Sequence, residues 1–225
     1  DNMRLVHISD THGLERLCKR LSQAWVDLNG REFVAWVLTG DIFDNKDPSS
    51  PERERKFQRR EWGYKQQSVI KRLGNKPVIT VDGNHDFQSL GLLLMHCHET
   101  YRVNPGGFNF KGLKFAGFRE IPWINGRWCC EADDMQLRAL VDLTLSGSPD
   151  VLITHSPPRG ILDGSLTKLG DHYGIAPLAI KLATTPHNVK LHCFGHVHEH
   201  GGATTTIGGT TFSNAATTVN IIEVP

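Results

Sequence analysis

Five separate apolar runs in this chain each stop abruptly at a small cluster of carboxylate, amide or imidazole residues. "RLVHIS" (4–9) runs into Asp10 and His12. "EFVAWVLTG" (32–40) runs into Asp41, and "KPVITV" (76–81) into Asn84 and His85. "DVLIT" (150–154) meets His155, and "VKLHCF" (189–194) meets His196 and His198. Short apolar runs bounded by turn residues read as buried strands. In open α/β sheets, ligand-binding groups gather beyond the carboxyl ends of the strands. Clusters far apart in sequence are therefore expected to converge on one site.

The stretches between the strands support an α/β class. Leu14, Leu17, Leu21, Trp25 and Leu28 recur at helical spacing. "DPSSPE" opens a long arginine- and lysine-rich helix, with Phe57, Tyr64, Ile70 and Leu73 as its expected buried positions. "LGLLLMHC" reads as a short helix, 130–145 as an amphipathic one, and "IAPLAIKLATT" as helical despite Pro177. "YRV", "FNF" and "LKFAGF" are short strands between glycine turns, and the β-branched tail reads as a strand meander. Strands alternating with helices, plus these hairpins, predict two sheets packed face to face with helices outside. With 225 residues and no linker or repeat, residues 1–225 are expected to form a single domain.

Charge and cysteine usage narrow the function. The formal net charge is +1 with histidine neutral, which gives no electrostatic case for nucleic acid or a membrane surface. The five cysteines, Cys18, Cys97, Cys129, Cys130 and Cys193, make a poor disulfide framework and suit a reducing, cytoplasmic setting. There is no membrane-length apolar run and no leader pattern at the start, where Met3 is the expected natural first residue.

The donor set itself is informative. Imidazole, carboxylate and amide oxygen together suit borderline-to-hard divalent ions such as Mn²⁺, Fe²⁺ or Zn²⁺. Gly40, Gly83 and Gly195 stand within two residues of candidate ligands, where they permit sharp turns and close approach. Asp41, on a central strand, is the expected carboxylate between two cations. His196 and His198, two apart in what reads as extended chain, are expected to point the same way. Each residue also has an ordinary reading. Asp10 and His12 could cap the following helix, Asn84 could be turn chemistry, His155 a strand-end histidine, and Asp44 a loop carboxylate. The five blocks together favour metal binding.

In order, "D-T-H" (10–12), "G-D-x-x-D" (40–44), "G-N-H-D" (83–86), His155 and "G-H-V-H" (195–198) resemble the signature of the calcineurin-like metallophosphoesterase superfamily over nearly the whole chain. The resemblance implies that superfamily's two-sheet α/β/β/α sandwich. It implies two divalent metal ions, Mn²⁺ first, with Fe, Zn, Ni or Mg as alternatives. Asp10, His12 and His198 would hold one, Asn84, His155 and His196 the other, and Asp41 both. His85 would sit within the substrate phosphate's reach, alongside Asn84, as acid or charge stabiliser. Asp44 would orient it, and Asp86 would support the turn. The implied reaction is attack on phosphorus by hydroxide held between the metals. "GDIFDNK" lacks the arginine that follows this block in protein Ser/Thr phosphatases, and "GNHD" replaces their "GNHE". "PWINGRW", "THSPPRGILD", "KLHCFGHVHE" and "TTFSNAATT" look more like metallophosphoesterase-domain (MPPED-like) proteins and class III cyclic-nucleotide phosphodiesterases. That branch implies a phosphodiesterase acting on a small, cyclic-nucleotide-type phosphoester. A phosphomonoesterase and a nuclease stay open as alternatives, as does a homodimer. His192 is expected in a strand or at the surface, and His200 along the cleft or bonded behind it. His7, His96, His98, His172 and His187 carry no expected role. Trp123, Arg127, Arg159 and Asp163, in two proline- and glycine-rich loops, are candidate substrate contacts.

Overall fold

The computed structural model describes residues 3–165 and 170–224. In chain order the first half holds β1 (Met3–Ile8), α1 (Leu14–Leu28), β2 (Ala35–Leu38), α2 (Pro51–Leu73), β3 (Val78–Thr80), α3 (Leu90–Leu94), β4 (Thr100–Arg102), β5 (Phe108–Phe110) and β6 (Leu113–Phe118). The second half holds β7 (Ile121–Pro122), β8 (Glu131–Ala132), α4 (Asp134–Ser146), β9 (Val151–Thr154), α5 (Ala176–Thr184), β10 (Leu191–Phe194), a 3₁₀ turn (His198–His200), β11 (Thr204–Ile207), β12 (Thr210–Asn214) and β13 (Val219–Val224).

Two main sheets form, in the orders β13-β1-β2-β3-β4 and β11-β12-β10-β9-β6-β5, and β7 and β8 pair as a short parallel ribbon. The inner strands run parallel, and β13, β11 and β5 pair antiparallel. Side-chain alternation along each strand builds three apolar layers. Leu5, Ala35, Val37, Val151, Ile153, Leu191 and Cys193 face the other sheet. Val6, Ile8, Trp36 and Leu38 face outward onto Leu14, Leu17 and Leu21 of α1 and Trp62, Val69 and Leu73 of α2. Phe118 and Leu152 face outward on the other side, onto Leu137 and Val141 of α4 and Leu178 of α5. Each leucine fully buried in this way contributes about 1.5–3 kcal/mol. This is the expected α/β/β/α sandwich.

Helix boundaries follow local chemistry. Pro51 occupies the first turn of α2, where its missing N–H costs nothing. Pro177 likewise opens α5 instead of interrupting it. Asp133 and Gln136 form a reciprocal capping box that starts α4, four residues after the apolar pattern suggested. The buried face of α2 is not the expected one. Tyr64 is exposed and Phe57 and Ile70 are half-buried, whereas Glu54, Gln58, Trp62, Val69 and Leu73 are buried. Trp25 sits at the edge of the α1 face, its indole N–H donating to the Arg72 carbonyl at 2.7 Å. No helix among the described residues is long and apolar enough to cross a membrane.

Candidate metal centre

The carboxyl ends of β1, β2, β3, β9 and β10 meet at one rim, and backbone bonds lock them together. Asp10 N–H donates to Gly40 O at 2.9 Å, His12 N–H to Asp41 O at 2.9 Å, and Gly195 N–H to His155 O at 2.9 Å. Buried Asp86 ties two of these turns. One carboxylate oxygen accepts from Ile42 N (2.9 Å) and Phe43 N (3.0 Å), and the other from Gly83 N (2.9 Å). Its expected turn-supporting role is thus a three-point brace. Asp10, His12, Asp41 and His196 all hold left-handed backbone, with φ of 52°, 44°, 52° and 68°. Such conformations are costly for non-glycine residues and concentrate at functional sites. The glycines matter for space: a Cβ on Gly83 would overlap the Asp41 carboxylate and come within 2.7 Å of the His155 ring, and one on Gly195 would overlap Asp10 and Ser9.

Three donor groups result: Asp10 with His12 and His198, Asp41 with His155 and His196, and Asp41 again with His12 and His85. His198 Nε2 lies 3.2 Å from Asp10 Oδ1 and 3.1 Å from His12 Nε2. His155 Nε2 lies 3.3 Å from Asp41 Oδ2 and 3.0 Å from Asn84 Oδ1. Ligands about 2.1 Å from a cation stand roughly 3.0–3.5 Å from each other. The spacing and the donor chemistry therefore both fit a metal ion. His155 Nδ1–H donates to Thr39 O at 2.6 Å, which leaves Nε2 as the ring nitrogen facing Asp41 and Asn84. This outer bond is the type that fixes a ligating imidazole.

The expectation that His196 and His198 project together from extended chain is corrected. Gly195 and His196 turn the backbone, and His198 begins the 3₁₀ turn. The two rings consequently serve different donor groups, His196 beside His155 and His198 beside His12.

His85 is held differently from expectation. Its Nδ1–H donates to Asn45 Oδ1 at 2.6 Å. The Asp44 carboxylate is exposed and, among the described residues, accepts only from the neighbouring Asn45 N–H, at 2.9 Å. The turn after Phe43 sends Asp44 outward and Asn45 inward, so Asn45 has the orienting contact assigned to Asp44. The polar face of α2 supports this loop: Glu54 accepts from Lys46 N (2.6 Å) and Asn45 Nδ2 (3.2 Å), and Gln58 donates to His85 O (2.7 Å). The His85 ring packs on Trp128, with centroids 4.1 Å apart. The backbone N–H of His85 donates to Asp41 Oδ1 at 2.8 Å.

Charges are strongly coupled here. Burial raises the Asp41 carboxyl, but the His155, His85 and His12 charges outweigh it and hold it far below the usual range. Burial likewise opposes protonation of His155, and the Asp41 charge overcomes it, raising the imidazole to about 10. Burial and the neighbouring His155 lower His196 to about 4. His85 is lowered by burial, with Asp41 opposing. The hydrogen bond to Asp10 raises His198.

Above the donors lies a hollow of about 450 Å³, walled by Ile124, Trp128 and Tyr173 as well as His85 and His198. Of the four expected contacts, none lines it. Trp123, Arg127 and Arg159 are exposed, and Asp163 is buried, accepting from Gly160 N (2.9 Å), Gly174 N (3.0 Å) and His172 Nδ1 (2.7 Å). Asp163 therefore braces its own loop. His200 donates to Gly164 O at 3.0 Å, behind the hollow. Sequence reasoning missed Asn45, Trp128 and Tyr173. The one available signal was an aromatic residue inside a turn-rich loop.

Two helix-flanked sheets bring carboxylate and imidazole donors from five strand ends to one rim, an arrangement that fits divalent cations. The chain belongs to the calcineurin-like phosphoesterase family, whose model matches residues 3–200. A provisionally assigned 5′-nucleotidase from Staphylococcus aureus, solved in complex with α-ketoglutarate, shares the fold at a TM-score of 0.56 and 15% identity. That match covers 95% of this chain and 48% of the other. Thermus thermophilus sulfate thiohydrolase SoxB, in complex with glycerol, aligns at a TM-score of 0.44 and 12% identity, covering 97% of this chain and 43% of the other. The chain spans less than half the length of either solved protein.

Proposed function

We propose that the chain is a dinuclear-metal phosphodiesterase for small nucleotide-type diesters, cyclic ones included. The observation that carries this reading is the pair of donor triads, Asp10–His12–His198 and Asp41–His155–His196, linked through the contact group His12–Asp41–His85. In it Asp10, His12 and His198 hold one cation, Asn84, His155 and His196 the other, and Asp41 faces both. Manganese suits the mixed oxygen and imidazole set, with Fe, Zn, Ni or Mg as alternatives. Bound as a pair, such cations lower the pKa of water and offset charge on the phosphoryl oxygens.

The chain's own groups supply the rest. Asn45 engages His85 Nδ1, so Nε2 is the ring atom free to meet a leaving-group oxygen. In its protonated form His85 donates there as general acid. Trp128 covers one face of that ring and keeps water from it. Asn84 and His85 together contact the phosphate. Five free cysteines support a reducing, cytoplasmic setting.

The test compares hydrolysis of bis-p-nitrophenyl phosphate and p-nitrophenyl phosphate by Mn²⁺-loaded protein, with bound metal counted by elemental analysis. Two metals per chain and a diester preference are expected. A monoester preference would replace this reading with a phosphomonoesterase.

A further inference from the structure

A second hollow, of about 340 Å³, opens on the other side of the donor cluster. It shares the His198 wall with the first and is also lined by His12, Arg16, Arg20 and Thr217. Arg16 and Arg20 are four residues apart on α1 and so share a face. Arg20 is half-buried and has no carboxylate partner among the described residues. Arg16 donates from Nη1 to the His12 carbonyl, which leaves the rest of its guanidinium uncommitted. The carboxylates of Glu15 and Asp10 are occupied. Glu15 pairs with Lys65 on the outer surface. Asp10 spends Oδ2 on Ser9 Oγ (2.6 Å) and His196 N (2.9 Å), and Oδ1 on His198 Nε2 (3.2 Å). Thr11 lines the floor, but its hydroxyl already donates to Ile42 O at 3.1 Å.

We propose that this hollow is a subsite for an anionic group carried on the second arm of the substrate. The proposal rests on the phosphodiesterase reading and sharpens it. A phosphorus centre over the two triads has one hollow on each side. The first is walled by Ile124, Trp128 and Tyr173, which suit a planar or apolar arm. The second presents two guanidinium groups, whose fork geometry matches phosphate or carboxylate. The substrate class is therefore narrowed, within the proposed diesters, to an open-chain phosphodiester with one planar arm and one anionic arm. A monoester fills only one of the two hollows.

The experiment uses matched diesters: p-nitrophenyl ethyl phosphate, and p-nitrophenyl phosphates whose alkyl arm of two, three or four carbons ends in a phosphonate. For the wild-type protein with Mn²⁺, the best phosphonate arm should raise kcat/KM by about tenfold or more over ethyl, as charge-assisted hydrogen bonds of ordinary strength do. Arg20→Ala should remove most of that ratio, Arg20→Glu should invert it, and raised ionic strength should shrink it. Lys19→Ala, on the same helix but outside the hollow, should leave the ratio as it is. Turnover of the ethyl ester with no phosphonate preference, or a preference indifferent to Arg20→Glu, overturns the subsite and leaves the hydrolase reading standing. Failure of every diester with each of Mn²⁺, Fe²⁺, Zn²⁺, Ni²⁺ and Mg²⁺ overturns the phosphodiesterase reading and the subsite with it.

Discussion

Replacing Asp86 should damage the site without touching a candidate ligand. Its carboxylate accepts three backbone N–H groups, from Ile42, Phe43 and Gly83. These bonds join the turn carrying Asp41 to the turn carrying Asn84 and His85. Asp86→Ala strands all three buried donors, and each unsatisfied group costs about 1–3 kcal/mol. Against this, burial first, and then the charges of Asp41 and Asp82, raise the Asp86 carboxyl well above the usual carboxylate range. Removing it relieves part of that repulsion, and water entering the small cavity satisfies part of the rest. The net loss should be on the order of 3 kcal/mol. Asp86→Asn keeps an oxygen for Ile42 and Phe43 but turns an amide N–H₂ toward Gly83 N–H, one mismatch instead of three. Its cost should be about 1–2 kcal/mol. Urea unfolding of the metal-free proteins reads both values, and Mn²⁺ titration calorimetry should show affinity falling in the same order. The reasoning fails if Asp86→Ala costs less than Asp86→Asn, or if it destabilises the chain while leaving Mn²⁺ affinity intact.

Other expectations follow from the same geometry. Asp41→Ala should abolish metal loading, whereas His85→Ala should keep both metals and lower kcat by about 10²–10⁴, the usual worth of a general acid. Elemental analysis and steady-state kinetics separate the two. Asn45→Asp places a carboxylate against His85 Nδ1 and should move the falling limb of the pH–rate profile upward, with metal content unchanged; the reverse substitution next to it, Asp44→Asn, should leave that limb in place. His192 is buried and neutral, lowered to about 3 by burial and the nearby His7. A depressed imidazole stabilises the fold fully above its unfolded value near 6.5 and loses that contribution as pH falls toward 3, at about 1.4 kcal/mol per pH unit. His192→Phe should flatten the acid limb of metal-free stability by that slope between pH 6 and 4, as measured by urea unfolding. At pH 7 it should cost about 1 kcal/mol, the hydrogen bond that His192 Nε2–H donates to Thr154 Oγ1 at 2.8 Å, because Thr154 Oγ1 keeps its own bond to Ser156 O at 2.6 Å and His192 Nδ1 has no partner among the described residues.

The order of strands and helices was legible because its determinants are local: apolar period, helix-opening prolines and turn glycines. The donor blocks were legible because each directly follows a strand whose direction the parallel sheets fix. The buried face of α2 was not. Glu54 and Gln58 carry no apolar signal, and they are buried because they satisfy the Asn45 side chain and backbone groups at 44, 46, 47, 85 and 88, which come near only in the folded chain. An apolar period cannot reveal a helix face selected for hydrogen bonding. The same limit explains Asp163, whose carboxylate looks like a substrate contact in sequence and is spent on its own loop. The exchange of Asp44 for Asn45 is subtler. Both are short polar residues in one turn, and only the turn's direction decides which meets His85.

The left-handed residues show where sequence rules give way for a physical reason. Alternation predicts that His196 and His198 project together, yet a φ of 68° at His196 separates them. Four candidate ligands hold positive φ, at a cost on the order of 1–3 kcal/mol each. Nothing local to those residues offsets this cost. The offset comes from the apolar layers on both sides of each sheet and from backbone bonds that hold each turn, such as Asp10 N–H to Gly40 O and His12 N–H to Asp41 O. Those bonds involve no donor side chain. The packed scaffold therefore contributes to the directions of the donors. Donor identity can be read from sequence block by block, whereas donor direction is a property of the two packed sheets as a whole.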